Sequence, residues 1–425
     1  MCSQRHIGAT TYIAVYVAWL LLLLGPLDVA DPLGVGLLLS WTTVCLIAAA
    51  IVWLPELFAR GWTNTSMDRA LAVYVALVAF SWLRSVDRHV TFVAVLSLLG
   101  NLSMFYATVA LARRTPWLAR AVLLLTVASS ALVLIMAFAF HAEQGLLLRP
   151  KLYPVPSGWS GYPELGALAV VQFALLLAAI LAARGLTSAL ATTCLLAVNL
   201  VELVFLYSRA SWVSIAALVA VAAIFMIQGR QVKRLILVGG VVFIVGAAVV
   251  AGNPTLRYLT RALLIGQQPG AGAPVGYTVD VASPEMRLQI WRRSLRMIAD
   301  VPVSGVGPGN FQSVFETKYN TEIMNDGTRG VHAHNLWLQQ SAEIGVLGGL
   351  AYAAIWLLVL RRSWQQAAAN RDFDSLALLF SILAMGTANV TTNIFYLTGS
   401  ASGRLHSLTW VLFALVCARP LGRRP

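Results

Sequence analysis

The feature that most limits how this chain can fold is a succession of long apolar segments separated by short polar ones. Most segments have the length of about 20 residues that an α-helix needs to cross the hydrocarbon core of a bilayer. About twelve are present, at residues 7–27, 33–54, 69–83, 90–112, 117–140, 164–183, 187–207, 211–228, 232–252, 334–360, 375–397 and 403–418. With 59% hydrophobic and only 11% charged residues in 425, a soluble domain is excluded. The sequence predicts an all-α polytopic membrane protein, whose first apolar run is a retained span.

The basic residues of the short loops predict how the spans are oriented. With a cytoplasmic N-terminus, sixteen Lys and Arg residues fall on the cytoplasmic side and six in short outer loops, while eight lie in the long 253–333 segment. Because basic residues are enriched in cytoplasmic loops, we predict that both termini are cytoplasmic. Topology then explains the net charge of +13, and nucleic acid is not expected as a partner. The four cysteines are scattered, which disfavours a disulfide framework or a zinc site.

Three regions follow: spans one to nine at 1–252, a long outer segment at 253–333, and the last three spans at 334–425. In the long segment, Ser283, Pro284 and Glu285 form a helix-start pattern, which predicts an amphipathic helix over about 284–300. Its predicted buried face gathers Leu288, Trp291, Leu295 and Ile298, and Arg287 falls in the same sector. A buried arginine is costly unless an anion meets it. We therefore weigh an anion site against a snorkelling side chain or an internal salt bridge.

A glycine-rich stretch follows this predicted helix at residues 304–311. Backbone N–H groups of such turns can bind phosphate, but no strand precedes this one, so the dinucleotide-binding interpretation fails. We interpret the stretch as an ordinary turn.

A few ionisable residues lie in or beside the spans, where charge is expensive. Arg209 stands between two apolar runs on the outer side, next to Tyr207 and Trp212. It is either an interfacial anchor or a cation held at the outer hydrocarbon boundary, where a lipid-linked phosphate would lie. Glu202 and Glu343 lie well inside spans, and each serves either helix packing or a functional site.

Two histidines, His332 and His334, close the long segment directly before a span. Histidine titrates near neutrality, so a partly dehydrated one could take a proton from a hydroxyl. Asn335 and Gln339 add amide groups shortly after the pair. Histidines two residues apart do not share a helix face, and no carboxylate cluster accompanies them, so no metal site is predicted.

Asp372-Phe373-Asp374 matches the D-x-D pattern with which many nucleotide-sugar glycosyltransferases hold a metal. It falls in a short predicted cytoplasmic loop, on the side of the membrane opposite His334. We therefore interpret it as a solvated acidic turn.

Three groups of residues resemble the bacterial O-antigen ligases, within a larger group that also holds O-antigen polymerases and protein O-oligosaccharyltransferases. His334-Asn335, followed after nine residues by Gly345 and then by Gly348, is similar to the histidine pattern of the ligases. Ser208-Arg209-Ala210 resembles the family's arginine after a middle span. Arg287, Trp291 and Pro302-x-x-Gly305-x-Gly307 resemble the start of its large periplasmic loop.

The resemblance implies a GT-C-like fold of about twelve transmembrane helices in the bacterial inner membrane, with helices in a large periplasmic loop and an active site facing the periplasm. It implies transfer of O-antigen polysaccharide from undecaprenyl pyrophosphate to a sugar hydroxyl of lipid A–core, by inverting, metal-independent glycosyl transfer without a cofactor. His334 would be the general base. Arg209 and Arg287 would bind the donor pyrophosphate, since its developing charge needs fixed cations. His332, Asn335 and Gln339 are assigned auxiliary roles.

Other functions stay open on the sequence. An O-antigen polymerase or a protein O-oligosaccharyltransferase would use the same lipid-linked donor and differ only in its acceptor. A lipid or polysaccharide transporter belongs to another class. It would need polar residues near the midplane or broken helices in paired halves, and the sequence shows no internal repeat.

Overall fold

The computed structural model describes residues 13–21, 23, 41–143, 162–206, 209–229, 231–252, 284–319, 332–391 and 400–420. The regular structure within these ranges is helical, and they contain no strand. Residues 13–21 are helical, and the helices with described bounds are α1 Trp41–Arg60, α2 Asp68–Leu83, α3 Arg88–Arg114, α4 Leu118–Glu143, α5 Tyr162–Ala182, α6 Leu186–Leu206, α7 Arg209–Gln228, α8 Val232–Gly252, α9 Pro284–Asp300, α10 Phe311–Val314, α11 Leu336–Asn370, α12 Phe373–Thr391 and α13 Ser400–Ala418. A π-helical turn, Phe315–Tyr319, directly follows α10.

Within the described ranges, five helices are long and apolar enough to cross a membrane. They are α3, α11, and the segments Leu165–Ala182 of α5, Ala210–Gln228 of α7 and Phe373–Val390 of α12. Shorter apolar stretches lie at Val44–Leu54, Leu118–Val133, Thr187–Leu203 and Arg404–Ala418. The protein is therefore an all-α membrane protein. The count of twelve spans and the long outer loop stay predictions, since residues 1–12, 24–40 and 253–283 lie outside the described part.

α5 lies at the centre of the bundle, packed against α4, α6, α7 and α12. Its segment Leu165–Ala182 is 89% buried, because a helix that is apolar on every side is satisfied only when other helices surround it. On the flanks, α13 packs against α3 and α12, and α11 packs against α2 and α12. The outer surfaces of the span helices keep exposed apolar side chains, as lipid-facing surfaces do.

Glu202, one of the two acids predicted inside spans, belongs to a polar cluster between α5 and α6. The Asn199 side-chain N–H donates to Glu202 Oε2 at 3.2 Å and to Gln172 Oε1 at 3.4 Å. Ser130 of α4 also donates to Gln172 Oε1, at 3.2 Å. This arrangement favours the helix-packing interpretation of Glu202.

The acidic pair Asp372 and Asp374 is ion-paired rather than solvated, so the interpretation as a solvated turn was wrong for Asp374. Asp374 is only 9% exposed and pairs with Arg120 of α4 at 3.1 Å and with Arg419 at 3.1 Å. Asp372 pairs with Arg419 at 3.0 Å and also accepts from the Ser375 N–H at 2.7 Å, at the start of α12. The acids therefore join three chain segments at the end of the bundle opposite His334.

Candidate active site

His334 lies two residues before α11, in a strained backbone conformation. Its φ is +48°, in the left-handed region that non-glycine residues enter only when surrounding contacts hold them there. The contacts come through Asn335, the N-cap of α11, whose side-chain oxygen accepts from the Leu338 N–H at 3.0 Å. The half-buried imidazole is thereby held at a helix N-terminus, where the macrodipole favours negative charge.

Asn335 also ties this site to the end of α12. Its side-chain N–H donates to the Val390 carbonyl at 3.1 Å. Both the amide oxygen and the amide nitrogen are thus engaged by the backbone of the fold. Asn335 is therefore held on both sides directly after His334, and its auxiliary role stays a prediction.

Arg209 is the first residue of α7, and α7 is tied to the same end of α12. The Ser214 hydroxyl lies 3.0 Å from that of Thr387 and donates to the Ala384 carbonyl at 3.2 Å. Because α12 holds both Asn335 and the first turns of α7, Arg209 begins its helix at the His334 end of the bundle. The direction of the Arg209 side chain lies outside what the structure describes.

α9 is joined to the histidine pair by one hydrogen bond across 42 residues of sequence. The indole N–H of Trp291 donates to the carbonyl of Ala333, the residue between His332 and His334, at 2.9 Å. Arg287 lies one helical turn before Trp291 and therefore on the same side of α9. It is half-buried there, so the helix presents an arginine on the face that docks beside the two histidines.

The predicted buried face of α9 was wrong in part. Leu288 and Leu295 are 46% and 54% exposed, and the core is instead contacted by Ile290, Ser294 and Met297. Ile290 and Met297 pack in a small apolar cluster that includes Phe311, Phe315, Ala333 and Ala342. Arg287, Trp291 and Ile298 flank this buried face and are half-buried.

The far end of α9 is held by the π-helical turn. Asp300 accepts from the Tyr319 hydroxyl at 2.5 Å and from Lys318 Nζ at 2.9 Å. Both hydrogen bonds, first that of Tyr319, lower the pKa of the Asp300 carboxyl. Arg293 donates in addition to the Tyr319 carbonyl. The helix that carries Arg287 is therefore fixed at both ends.

His332 is half-buried, and its surroundings change the pKa of its imidazole. Burial lowers its pKa below the ordinary value of 6.5, and the charge of Glu316 acts in the opposite direction. Glu316 belongs to the π-helical turn and accepts from Gln312 Nε2 at 3.2 Å. A lowered pKa keeps the His332 imidazole neutral at physiological pH, so the site gains no positive charge from it.

Polar residues continue below the histidine pair along the first turns of α11. Gln339 and Glu343 are both completely buried, and Gln339 Nε2 donates to Glu343 Oε1 at 3.2 Å. On the next face, the Tyr74 hydroxyl of α2 donates to Gln340 Oε1 at 2.8 Å. Gln339, near the histidine end of α11, thus hydrogen-bonds to an acid inside the span. The auxiliary role predicted for Gln339 did not include this contact.

α11 is interrupted at Gly345, whose φ of +83° and ψ of +169° lie outside the helical region. In an unbroken helix the Val346 N–H would donate to the Ala342 carbonyl. Here Val346 N–H donates to the Pro302 carbonyl at 2.8 Å, and the Ala342 carbonyl accepts from Val306 N–H at 3.0 Å. The turn after α9 therefore replaces the missing helical hydrogen bond. We call this contact the loop–helix junction.

Glycine is required on both sides of the loop–helix junction. A Cβ on Gly305 would overlap the backbone of Glu343, and one on Gly345 would overlap the backbone of Val303. Both residues also have positive φ. The interpretation of residues 304–311 as an ordinary turn missed this contact, since nothing in either local pattern names the other as its partner.

Taken together, the fold places a strained histidine, a neutral histidine and an arginine-bearing helix at one end of a membrane bundle. Within the described residues, no group of three or more His, Cys, Asp or Glu side chains is arranged to hold a metal ion. What the arrangement offers chemically is an imidazole at a helix N-terminus, with the arginine-bearing helix α9 beside it.

This fold and site define a polytopic α-helical membrane protein with the histidine pair and the arginine-bearing helix α9 at one end of the bundle. Residues 193–353 match the family model described as O-antigen ligase, so the chain is O-antigen ligase-like over that stretch. The matched stretch, well under half of the chain, runs from α6 into α11 and contains Arg209, Arg287, His332 and His334. No curated protein matches the chain. The match supports an enzymatic activity of the ligase or polymerase type.

Proposed function

We propose that the protein transfers O-antigen polysaccharide from undecaprenyl pyrophosphate to a sugar hydroxyl of lipid A–core, on the periplasmic face of the bacterial inner membrane. The acceptor oxygen attacks the anomeric carbon of the donor sugar as the bond from that carbon to the pyrophosphate oxygen breaks. The hydroxyl proton passes to His334, and undecaprenyl pyrophosphate leaves with its electron pair. Attack opposite the leaving group inverts the anomeric configuration.

The single observation that carries this proposal is the hydrogen bond from Trp291 to the Ala333 carbonyl. It holds the Arg287 face of α9 beside the histidine pair, so that a base and a cation stand on adjoining elements. A sugar hydroxyl needs a base, and the departing pyrophosphate needs positive charge. In this proposal Arg287 and Arg209 bind the pyrophosphate oxygens, and no metal ion is required.

The neighbouring residues are given supporting roles. Asn335 sets the backbone of His334 through its cap and its contact with Val390. Gln339 orients the buried Glu343 carboxylate, and neutral His332 lines the acceptor side without adding charge. Both termini are proposed to be cytoplasmic, in keeping with the distribution of basic residues.

The test is reconstitution of the purified full-length protein in liposomes that contain lipid-linked polysaccharide. Three acceptors are offered separately: lipid A–core, a second lipid-linked repeat unit, and a periplasmic protein rich in Ser and Thr. Extension of lipid A–core, lost in His334→Ala, supports the proposal. Extension of the lipid-linked unit alone would identify a polymerase instead, and extension of the protein alone an oligosaccharyltransferase. EDTA is expected to leave the rate unchanged.

A further inference from the structure

The side of α9 that faces away from the core is apolar along one edge and basic along the next. Leu288 and Leu295, seven residues apart, are 46% and 54% exposed on the same edge. Arg292 and Arg296 are exposed about 40° to 100° further around the helix, at about 100° per residue. This side of α9 does not contribute to the protein core, because the buried side chains of α9 are Ile290, Ser294 and Met297 on the other side.

The apolar edge of α9 is continuous with the lipid-facing surface of a span helix. Val303, just after α9, is 62% exposed, and its neighbour Pro302 accepts the Val346 N–H of α11 at 2.8 Å. Val346 is itself 39% exposed, and Leu347 and Leu350 beyond it are 58% and 60% exposed. The exposed apolar surface therefore runs from α11 through Val303 to α9 without passing through the protein interior.

Arg292 and Arg296 lie beside the apolar edge of α9, which is the position from which arginines contact lipid head groups. In the part of the chain that the structure describes, neither Arg292 nor Arg296 forms an ion pair with a carboxylate. A helix with an apolar edge in lipid and arginines beside it is the arrangement of helices that lie in the membrane interface and attract anionic lipids.

We propose that α9 lies in the membrane interface, with Leu288, Leu295 and Val303 in lipid and Arg292 and Arg296 bound to the phosphates of anionic lipid head groups. The surface would gather phosphate-bearing lipids within one helix width of the histidine pair. This inference rests on the exposed face of α9 alone. It is independent of the proposed reaction, and its test uses no activity.

The test is a fluorescence measurement on the full-length protein in vesicles. Cys2 and Cys194 are replaced by serine, and a single cysteine labelled with nitrobenzoxadiazole is introduced at residue 295 or, as the matched control, at exposed Gln289 on the polar side. Vesicles of phosphatidylcholine carry a small fraction of spin-labelled lipid with either a phosphatidylglycerol or a phosphatidylcholine head group. Quenching of the label reports which lipid lies against each position.

The label at 295 is expected to be quenched several-fold more than the label at 289. Spin-labelled phosphatidylglycerol should quench it more than spin-labelled phosphatidylcholine, since each arginine near a membrane surface changes the local preference for anionic lipid by about fivefold. The double variant Arg292→Gln, Arg296→Gln should remove this preference, whereas Arg361→Gln, on an exposed residue near the other end of α11, should not.

Two outcomes would overturn the proposal. Equal, weak quenching at 295 and 289 would place this face in water or against another protein. Strong quenching at 295 that is indifferent to the head group and to the arginine substitutions would reduce the contact to an apolar one. The substituted arginines are exposed, so size-exclusion profiles matching the parent protein are expected for every variant.

Discussion

The Trp291 indole donates a hydrogen bond to the carbonyl of Ala333, and this 2.9 Å contact joins α9 to the histidine pair. Ala333 is completely buried between the two half-buried histidines. The contact therefore links α9 directly to the backbone that carries His332 and His334. Arg287 shares the Trp291 side of α9, so the same contact fixes the arginine relative to the proposed base.

Trp291→Phe removes this hydrogen bond and keeps an aromatic ring. A neutral hydrogen bond is worth about 0.5–1.5 kcal/mol, so the rate of transfer is expected to fall by about two- to tenfold with the fold retained. The measurement is transfer by the reconstituted protein. Trp364→Phe, which alters a ring that contacts Phe225 near the opposite end of α11, is the matched control and should have no effect on the rate. An unchanged rate in Trp291→Phe would remove the contact from the mechanism.

Substitutions at His334 can separate the role of its imidazole from the role of its backbone conformation. Asparagine and glycine tolerate a φ of +48° better than alanine does, so His334→Asn and His334→Gly should keep the thermal stability of the parent protein. If the imidazole is the base, His334→Asn and His334→Gly should both lose transfer by about 10²- to 10⁴-fold, as His334→Ala should. Activity retained in the Asn or Gly variant would show that this position matters only for its backbone conformation.

Conversion of Arg209 or Arg287 to lysine keeps the charge and loses the planar fork of donors. Charge-assisted hydrogen bonds are worth about 1.5–3 kcal/mol, so each variant should lower transfer by about tenfold or more. Arg361→Lys, on an exposed residue far along α11, is the control for surface arginines. Parent-like rates in both Arg209→Lys and Arg287→Lys would eliminate the pyrophosphate assignment.

The burial of His332 predicts that the folded protein loses stability at acid pH. Its pKa in the folded protein is lowered below 6.5 by burial, so the unfolded chain takes up the proton first as the pH falls. The contribution of His332 to folding is therefore complete above pH 6.5 and is lost as the pH falls through its folded pKa. Thermal unfolding in detergent between pH 7.5 and 5 is the measurement, and His332→Gln should flatten the curve. Glu316→Gln should lower the pKa of His332 further, because the Glu316 charge raises it, so the loss of stability should become larger and continue to more acid pH. A curve identical to that of the parent would contradict the assignment.

The loop–helix junction should tolerate no side chain at Gly345. Gly345→Ala places a Cβ against the Val303 backbone and forces a positive φ, which alone costs about 1–2 kcal/mol, so unfolding should occur at a clearly lower temperature. Gly61→Ala, with positive φ and no neighbouring atoms, isolates the backbone part of the cost. Gly246→Ala, within α8 and also without neighbours, should be neutral or stabilising. Equal melting temperatures for Gly345→Ala and Gly61→Ala would show that the junction contributes little.

Local patterns were sufficient for the starts of two helices and for the class of fold. α9 begins at Pro284, where Ser283-Pro284-Glu285 predicts a helix start, and α11 begins directly after the histidine pair. The apolar runs likewise indicated the class of fold. Such features depend on residues within one or two turns of each other, which a sequence displays directly.

The tertiary structure alone decided which contacts these helices make. The wheel of α9 could not tell that Leu288 and Leu295 are exposed, because a membrane offers apolar side chains a second favourable environment besides the core. The sequence also could not show that Asp374 pairs with Arg120, which lies 254 residues earlier in the chain. The break at Gly345 has its cause in the turn near Pro302, about forty residues earlier, since backbone groups freed in a helix must find partners wherever the fold supplies them. The sequence by itself determined the chemical groups and the helices that carry them; their convergence at one end of the bundle depends on hydrogen bonds between distant segments.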